Sequence, residues 1–424
     1  MDEQEQQAQQ LPLPGAAEEL PQEPVEDEEE SELASLVGET LSDLVASLDD
    51  EQAEALLTTL LDGGEIDTLL FAQVTPQVTP TIAVGDYRPD QAVREASLAK
   101  KEQWRPGPGE VFYRASNDME VYLGSPERPL DVLQAMKQIR QLSESTVLTA
   151  RIVLGLWNTR RNNSRVSRNG SVAVLLEEIL QWQGIQKHSR EAHPGSGKRY
   201  TDGYRVEQKR RVIADLALLA SCNVRGTSRV RVRGKAVTLE VDGPYLRYSV
   251  VSRKIGDEDK VILGFLISPG DWISAYERHQ NYALAEIDNR IFQLNPQNDR
   301  HALRLALYLT ERWREQATER TFSTPIVMSE LLAASMIEID ERHLTNRFVP
   351  RIESALGGLE EKGIVGKCLC LTQIDRTQAR WGKEWLTSSW EILPPLQLIQ
   401  EYQALGGTVT NKRTPRTRKP KGQA

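Results

Sequence analysis

Residues 344–365 read LTNRFVPRIESALGGLEEKGIV. Phe348, Ile352, Ala355, Leu356 and Leu359 recur at spacings of three and four, which predicts a helix over about Leu344–Lys362 with one apolar side. Gly363 follows the last periodic residue, where a helix end adopts the left-handed conformation that glycine tolerates best. Ile364–Leu371 then reads as a strand. Thr345, Asn346, Arg347 and Arg351 fall near the helix start, preceded by Arg342 and His343. Recognition residues project from that part of a DNA-reading helix.

Upstream, helical patterns cover Trp272–Ala283 and His301–Arg314, a short helix covers about Ser329–Ala334, and a turn runs through Ile337–Glu341. Downstream, a polar loop, Thr372–Lys383, separates Ile364–Leu371 from a second strand, Trp385–Leu393. Helix, short helix, turn, longer helix and β-hairpin is the order of a winged helix.

The same order occurs earlier in the chain. Residues 129–158 carry helical spacing in Leu130, Val132, Leu133, Met136 and Ile139, then in Leu148, Ile152, Val153 and Leu156. A strand, Ser171–Val174, leads into a short helix that ends near Gly184. After a polar loop, a helix over about Tyr204–Ala220 precedes strands at Arg229–Val232, Ala236–Val241, Tyr245–Val251 and Val261–Ile267. The expected fold class is α+β, mainly helical, with two winged-helix domains in tandem at 129–268 and 269–402. The duplication lies in the order of elements and not in matched residues.

Outside these units the composition changes. Residues 1–30 are rich in Gln, Pro and Glu and read as a disordered acidic tail. Residues 31–71 carry two short amphipathic helices, with Leu33, Leu36, Val37, Leu41 and Leu44 on the first and Leu56, Leu57, Leu60 and Leu61 on the second. Helices this short need a surface to fold on. That surface is either this chain's own body or a partner, through self-association or docking on another protein. Residues 72–128 hold six prolines and read as an extended linker with some β structure around Val111–Leu123. Residues 403–424 read as a basic disordered tail.

Charge follows the same division. Residues 1–70 hold 21 Asp/Glu and no Lys or Arg, so the rest of the 424-residue chain carries 52 cations against 40 acids, a net +12. Three cysteines exclude a disulfide scaffold. The acidic start lacks a signal peptide's basic and apolar regions, and no apolar run approaches the ~20 residues of a membrane span. A cytoplasmic protein without membrane contact is expected.

No catalytic constellation emerges. Gly195-Ser196-Gly197-Lys198-Arg199 resembles the end of a phosphate loop, but Ala192 stands where a glycine is needed and Arg199 where Ser or Thr is needed. Cys368-x-Cys370 supplies two thiols where a structural zinc takes four ligands. His301-x-x-Arg304 lacks the later tyrosine of recombinases and reads as core. The expectation is a non-enzyme without cofactor or metal. The tryptophans fall mostly at apolar positions and form no platform for single-stranded nucleic acid.

Basic patterning is the stronger signal. Residues 151–235 hold 18 Lys/Arg against 6 Asp/Glu. One cluster is Arg160, Arg161, Arg165 and Arg168, and another is Lys198, Arg199, Arg205, Lys209, Arg210 and Arg211. A third is Arg225, Arg229, Arg231, Arg233 and Lys235. On the helix from Tyr204, Val206, Ile213, Leu216, Ala217 and Ala220 form the expected buried face. Gln208 and Arg211 point away from it and Arg205 lies at its edge, where Arg and Gln can pair with guanine and adenine edges. Arg229, Arg231 and Arg233 alternate onto one strand face, as a wing on phosphates requires. The candidate partner is double-stranded DNA.

Two stretches resemble the replication initiator (Rep) proteins of bacterial plasmids. Leu148-Thr149-Ala150-Arg151-Ile152-Val153-Leu154-Gly155-Leu156, with Gly184 and Tyr204-Arg205, is similar to their first winged helix. Phe348-Val349-Pro350-Arg351-Ile352-Glu353-Ser354-Ala355-Leu356, with Leu359 and Lys362-Gly363-Ile364-Val365, is similar to their second. The loop at 187–203 and the acidic head depart from that pattern. The resemblance implies sequence-specific binding to repeated origin sites, without covalent chemistry, and a host replication protein as a candidate partner of residues 31–71. Two other readings stay open: a winged-helix transcriptional regulator, and a winged-helix scaffold whose basic face meets an acidic protein.

Overall fold

The computed structural model describes residues 71–408 apart from 72, 86, 125–129, 192–198, 233–234, 256–258, 278–283 and 320. The acidic stretch 1–30, the helices expected over 31–71 (but for Phe71) and the basic tail past Thr408 lie outside the described residues.

In chain order, the first elements are β1 (Thr81–Gly85), α1 (Arg88–Leu98), β2 (Arg105–Gly107), β3 (Glu110–Arg114), β4 (Glu120–Leu123) and α2 (Val132–Ile139). There follow α3 (Glu144–Arg160), β5 (Ser167–Arg168), β6 (Ser171–Leu175), α4 (Leu176–Trp182), β7 (His188–Glu191), β8 (Arg199–Gly203) and α5 (Val206–Ser221). Strands β9 (Cys222–Val232), β10 (Lys235–Pro244), β11 (Leu246–Ile255) and β12 (Asp259–Pro269) come next. After α6 (Trp272–Glu277), β13 (Leu284–Asp288) and α7 (Asn289–Phe292), the chain forms α8 (Arg300–Glu319), β14 (Ile326–Val327) and α9 (Met328–Ala334). A 3-10 turn (Glu341–His343) and a π turn (Leu344–Phe348) enter α10 (Val349–Glu361), followed by β15 (Lys367–Cys370), α11 (Trp381–Thr387), β16 (Ser389–Leu393) and α12 (Leu396–Thr408). The fold is α+β, with mixed helices and small antiparallel sheets.

Helix α3 lies at the centre. Every residue from Glu144 to Trp157 is buried, so it has no solvent face along most of its length. Helices α4 and α5 and strand β6 pack on it. β6 joins the hairpin β11–β12 in a sheet of order β11-β12-β6-β5, with Phe265 opposite Val174. The hairpin β9–β10 belongs elsewhere. It extends a second sheet, of order β10-β9-β4-β3-β2, in which Val121 faces Val224.

Residues 72–128 are therefore not an extended linker. They supply a helix and four strands to the body, and β1 pairs with β13 across some 200 residues of chain (Ile82 opposite Ile287). Their prolines sit where secondary structure tolerates them. Pro89 opens α1, and Pro106 lies in the three-residue edge strand β2. Gly155 lets α3 lie against β1: a Cβ there would come within 2.5 Å of Ile82.

In the later part, β14, β16 and β15 form a three-stranded sheet in that order, beside α8, α9 and α10. The helix expected as one piece over 344–362 is divided. Pro350 lacks an N–H, and its ring crowds the carbonyl of residue 346, so the preceding turn widens into a π turn closed by Val349 N–H on Leu344 O. The second strand starts at Ser389, not Trp385, because α11 occupies Trp381–Thr387. One hydrophobic core runs from Ile82 to Tyr402, so the boundary expected at 268/269 does not separate two cores.

Charged residues thread this core. Arg151 of α3 binds Asp90 of α1 at 2.6 Å and also Glu311 of α8, while Arg94 reaches Glu311 at 2.9 Å. Tyr245 donates to Asp90 at 2.5 Å. Glu144 is shared by Arg300 (2.6 Å) and Arg304 (2.7 Å) of α8. Burial alone would raise the Glu144 carboxyl, but Arg304, a backbone hydrogen bond and Arg300 bring it below the usual range.

Candidate nucleic-acid interface

The first basic cluster divides. Arg160 is turned inward: it binds Glu178 of α4, with one contact at 2.8 Å, and donates to the Ala173 carbonyl at 2.9 Å. Glu178 is fully buried and needs that countercharge, so Arg160 is withdrawn from the DNA-contact set. Arg161 stacks its guanidinium 4.9 Å over the Trp157 ring. Arg165 remains exposed in the turn after α3.

The second cluster surrounds the start of α5. Lys198 lies outside the described residues, and Arg199 begins β8 opposite Glu191. Arg205 is exposed immediately before the helix. Gln208 does not simply point away. Its Oε1 accepts the Arg205 N–H at 3.0 Å and caps the helix. Bidentate pairing with adenine needs both ends of that amide, so the expected contact would break the cap. Lys209 is half-buried, and Arg211 is exposed with its Nε donating to Ser145 Oγ at 2.9 Å.

Ser145 in turn donates to Asp215 at 2.7 Å, and Thr146 donates to the same carboxylate at 2.8 Å. Burial pushes the Asp215 carboxyl up against these hydrogen bonds and the Arg211 charge. The sequence reading missed this group, which lies among the apolar residues of α5. Val206, Ile213 and Leu216 are buried as expected, and Val212, Leu218 and Leu219 join them.

The expected wing is displaced. Arg229 and Arg231 lie on β9 opposite Thr238 and Ala236, in the sheet with β4, and Arg233 is outside the described residues. The hairpin that flanks β6 is β11–β12 instead. Arg225, from the same cluster, is held by Glu110 (2.7 Å) and Glu120 (2.9 Å) with its guanidinium 4.9 Å over Tyr122. Those carboxylates raise its pKa further.

At the later site the expected residues gather. Arg342, His343, Asn346, Arg347 and Arg351 are exposed along the 3-10 turn, the π turn and the first turn of α10, and Thr345 donates to Asn346 Oδ1 at 2.6 Å. Ile352, Leu356 and Leu359 form the buried stripe behind them. The segment between β15 and β16 adds cations not singled out from sequence: Arg376 and Arg380 of its loop and Lys383 of α11 are all exposed. Arg376 binds Glu353 of α10 at 2.6 Å and lies 5.2 Å over the Trp381 ring. The loop is pressed against the helix start, since a Cβ on Gly382 would meet Thr345 at 2.7 Å and Leu344 at 3.1 Å. Three cations around one tryptophan in a polar loop were the available signal.

Cys368 is half-buried and burial pushes its thiol up to about 12. His301 packs edge-to-face on Phe348 at 6.4 Å, and Arg304 is buried, both within the core helix α8. Among the described residues no cluster of His, Cys, Asp and Glu is placed to hold a metal ion, and no helix is long and apolar enough to cross a membrane.

No family model and no curated protein matches the chain. A solved structure, described as selenomethionine derivatives of domain 2 and domain 3 of RctB, is similar over 72% of this chain and 98% of that one, with 9% identity and a TM-score of 0.38.

Proposed function

We propose that this protein binds double-stranded DNA sequence-specifically through two winged-helix units in tandem, as a replication initiator of the plasmid type acting on repeated origin sites. The reading is supported first by element order. α8, β14, α9, α10 and the β15–β16 hairpin follow the order of a winged helix, and α3, β6, α4, α5 and the β11–β12 hairpin repeat it with β9–β10 inserted.

The observation that carries it is the joint basic face of α10 and the β15–β16 loop. Asn346, Arg347 and Arg351 are exposed on the helix start, and Arg376 and Arg380 of the loop and Lys383 of α11 flank it on the segment packed against it. In this reading the helix start enters the major groove, where Arg and Asn pair with base edges. The loop cations neutralise phosphates, which supplies affinity and register without sequence information. Arg205 and Arg211 at the start of α5 make the second contact. The initiator role rests on the motif resemblance in 148–156 and 348–365.

The test is selection of duplexes from random and source-genome DNA by the full chain at two salt concentrations. Repeated sites that persist at the higher salt and support origin-dependent plasmid maintenance are the expected result. A single palindromic promoter site would replace the initiator by a regulator. No enrichment at either salt would overturn DNA binding and favour a protein-binding scaffold.

A further inference from the structure

The two candidate helices are not separate basic patches. Arg211 of α5 donates to Ser145 at 2.9 Å. The adjacent residue, Glu144, accepts from Arg300 Nε at 2.6 Å. Arg211 and Arg300 therefore flank the same first turn of α3, one reaching it from each unit. Arg300 is followed by His301, whose ring packs on Phe348 at the entry to α10. Arg351 lies near enough on α10 that its charge, with those of Arg300 and Arg304, acts on the His301 ring. A line of cations runs from α5 over the start of α3 and α8 to α10.

The charge at the middle of this line is in excess. One carboxylate, Glu144, serves two guanidiniums, Arg300 and Arg304. The pair is asymmetric in exposure: the side chain of Arg304 is 7% exposed and that of Glu144 10%, against 56% for Arg300. The buried carboxylate and Arg304 compensate each other inside the fold. The charge solvent meets is Arg300, held to Glu144 through Nε, and among the described residues its terminal amino groups hydrogen-bond no carboxylate. The neighbouring acid, Asp299, is already engaged with Lys362 at 3.6 Å. A guanidinium fixed at one nitrogen and exposed at the others is pre-organised to clasp a phosphate.

We propose that Arg300, between Arg211 and Arg351, is a phosphate-binding bridge that holds the DNA backbone between the two half-sites read by α5 and α10. This rests on the DNA-binding reading above and adds a contact at the junction that belongs to neither recognition helix. Such a contact fixes the spacing and path of one continuous duplex across both units and reads no base.

The test compares the full wild-type chain with Arg300→Gln, using a duplex carrying two selected half-sites. Arg114→Gln, on an exposed strand position away from the junction, is the control. For Arg300→Gln the slope of log K against log salt should fall by about 0.9, the contribution of one lost phosphate contact, with the base preference unchanged. Ethylation interference should disappear at phosphates between the half-sites and persist within them. Thermal melting shows whether the variant folds, and Arg300→Lys, which keeps the charge, should restore most of the slope. Equal slopes and an unchanged interference pattern in folded Arg300→Gln would overturn the bridge while leaving DNA binding intact. Absence of DNA binding by the wild type would instead remove the reading on which the bridge depends.

Discussion

Glu353 of α10 binds Arg376 of the β15–β16 loop at 2.6 Å, so the helix start and the loop beside it are tied at the surface proposed to meet DNA. The same Oε1 accepts from Trp385 Nε1 at 3.0 Å, and Trp385 is fully buried. The ion pair is half-exposed and contributes little by itself. The buried indole N–H is different, because losing its acceptor costs about 1–3 kcal/mol. Glu353→Ala should lower urea stability by that amount and weaken DNA binding as the loop loosens. Glu353→Gln keeps an acceptor and should lose less than half as much. Equal losses in both would place the effect outside this hydrogen bond.

Base and phosphate contacts should separate in binding assays. Arg351→Ala should cost about 1–3 kcal/mol and relax preference at one base position. Arg380→Ala should weaken all duplexes alike and reduce the salt slope by about 0.9. Uniform weakening by both variants would reassign Arg351 to the backbone.

The charged seam in the core predicts a larger effect. Arg151 is 3% exposed and lies between Asp90 and Glu311. Arg151→Ala leaves two buried carboxylates short of a countercharge, and the expected loss is about 3–5 kcal/mol. A urea midpoint shift of less than a third of that would show that water or another cation takes the place of Arg151.

Acid should weaken the contact between α8 and α10. Burial first, then the charges of Arg300, Arg304 and Arg351, hold the His301 imidazole below its ordinary 6.5, with Glu144 opposing. The folded state favours the neutral ring. Its contribution to stability is therefore present above 6.5 and is lost as pH falls, because the unfolded chain takes up the proton first. The Glu144 carboxyl, also held low, adds a loss of the same sign below 4.5. Urea titrations between about pH 7.5 and about pH 5.5 should show this slope in the wild type and a flatter one in His301→Gln. Parallel slopes would assign the acid sensitivity elsewhere.

Gly357 and Gly358 sit inside α10, and a Cβ on either would meet nothing within 4 Å. Helical glycine costs about 0.5–1 kcal/mol relative to alanine. Gly357→Ala and Gly358→Ala should each raise the melting temperature by a few degrees' worth of that energy, measured by calorimetry. A decrease would indicate a backbone conformation alanine cannot share.

Helix positions and their order were legible in residues such as Phe348, Ile352 and Leu359, because a helix satisfies its own hydrogen bonds within a few residues. The short helix before α10, its stop at Gly363 and the exposed Asn346, Arg347 and Arg351 follow from that local pattern. The partners of strands did not follow. β9 had the alternation of a wing, but its own sequence does not say that β4 lies beside it, some hundred residues away. The linker reading of 72–128 failed because α1 buries Asp90, Arg94 and Glu95, so its periodicity does not look like that of a surface helix.

Among cations, sequence determined that the body of this protein is basic and its head acidic, since charge is a property of composition. Tertiary structure decided which cations face solvent. Arg160 and Arg165 look alike in sequence, yet one neutralises the buried Glu178 and the other stays exposed. A buried carboxylate draws the nearest guanidinium inward because its desolvation must be offset, and which guanidinium is nearest depends on contacts between elements distant in the chain.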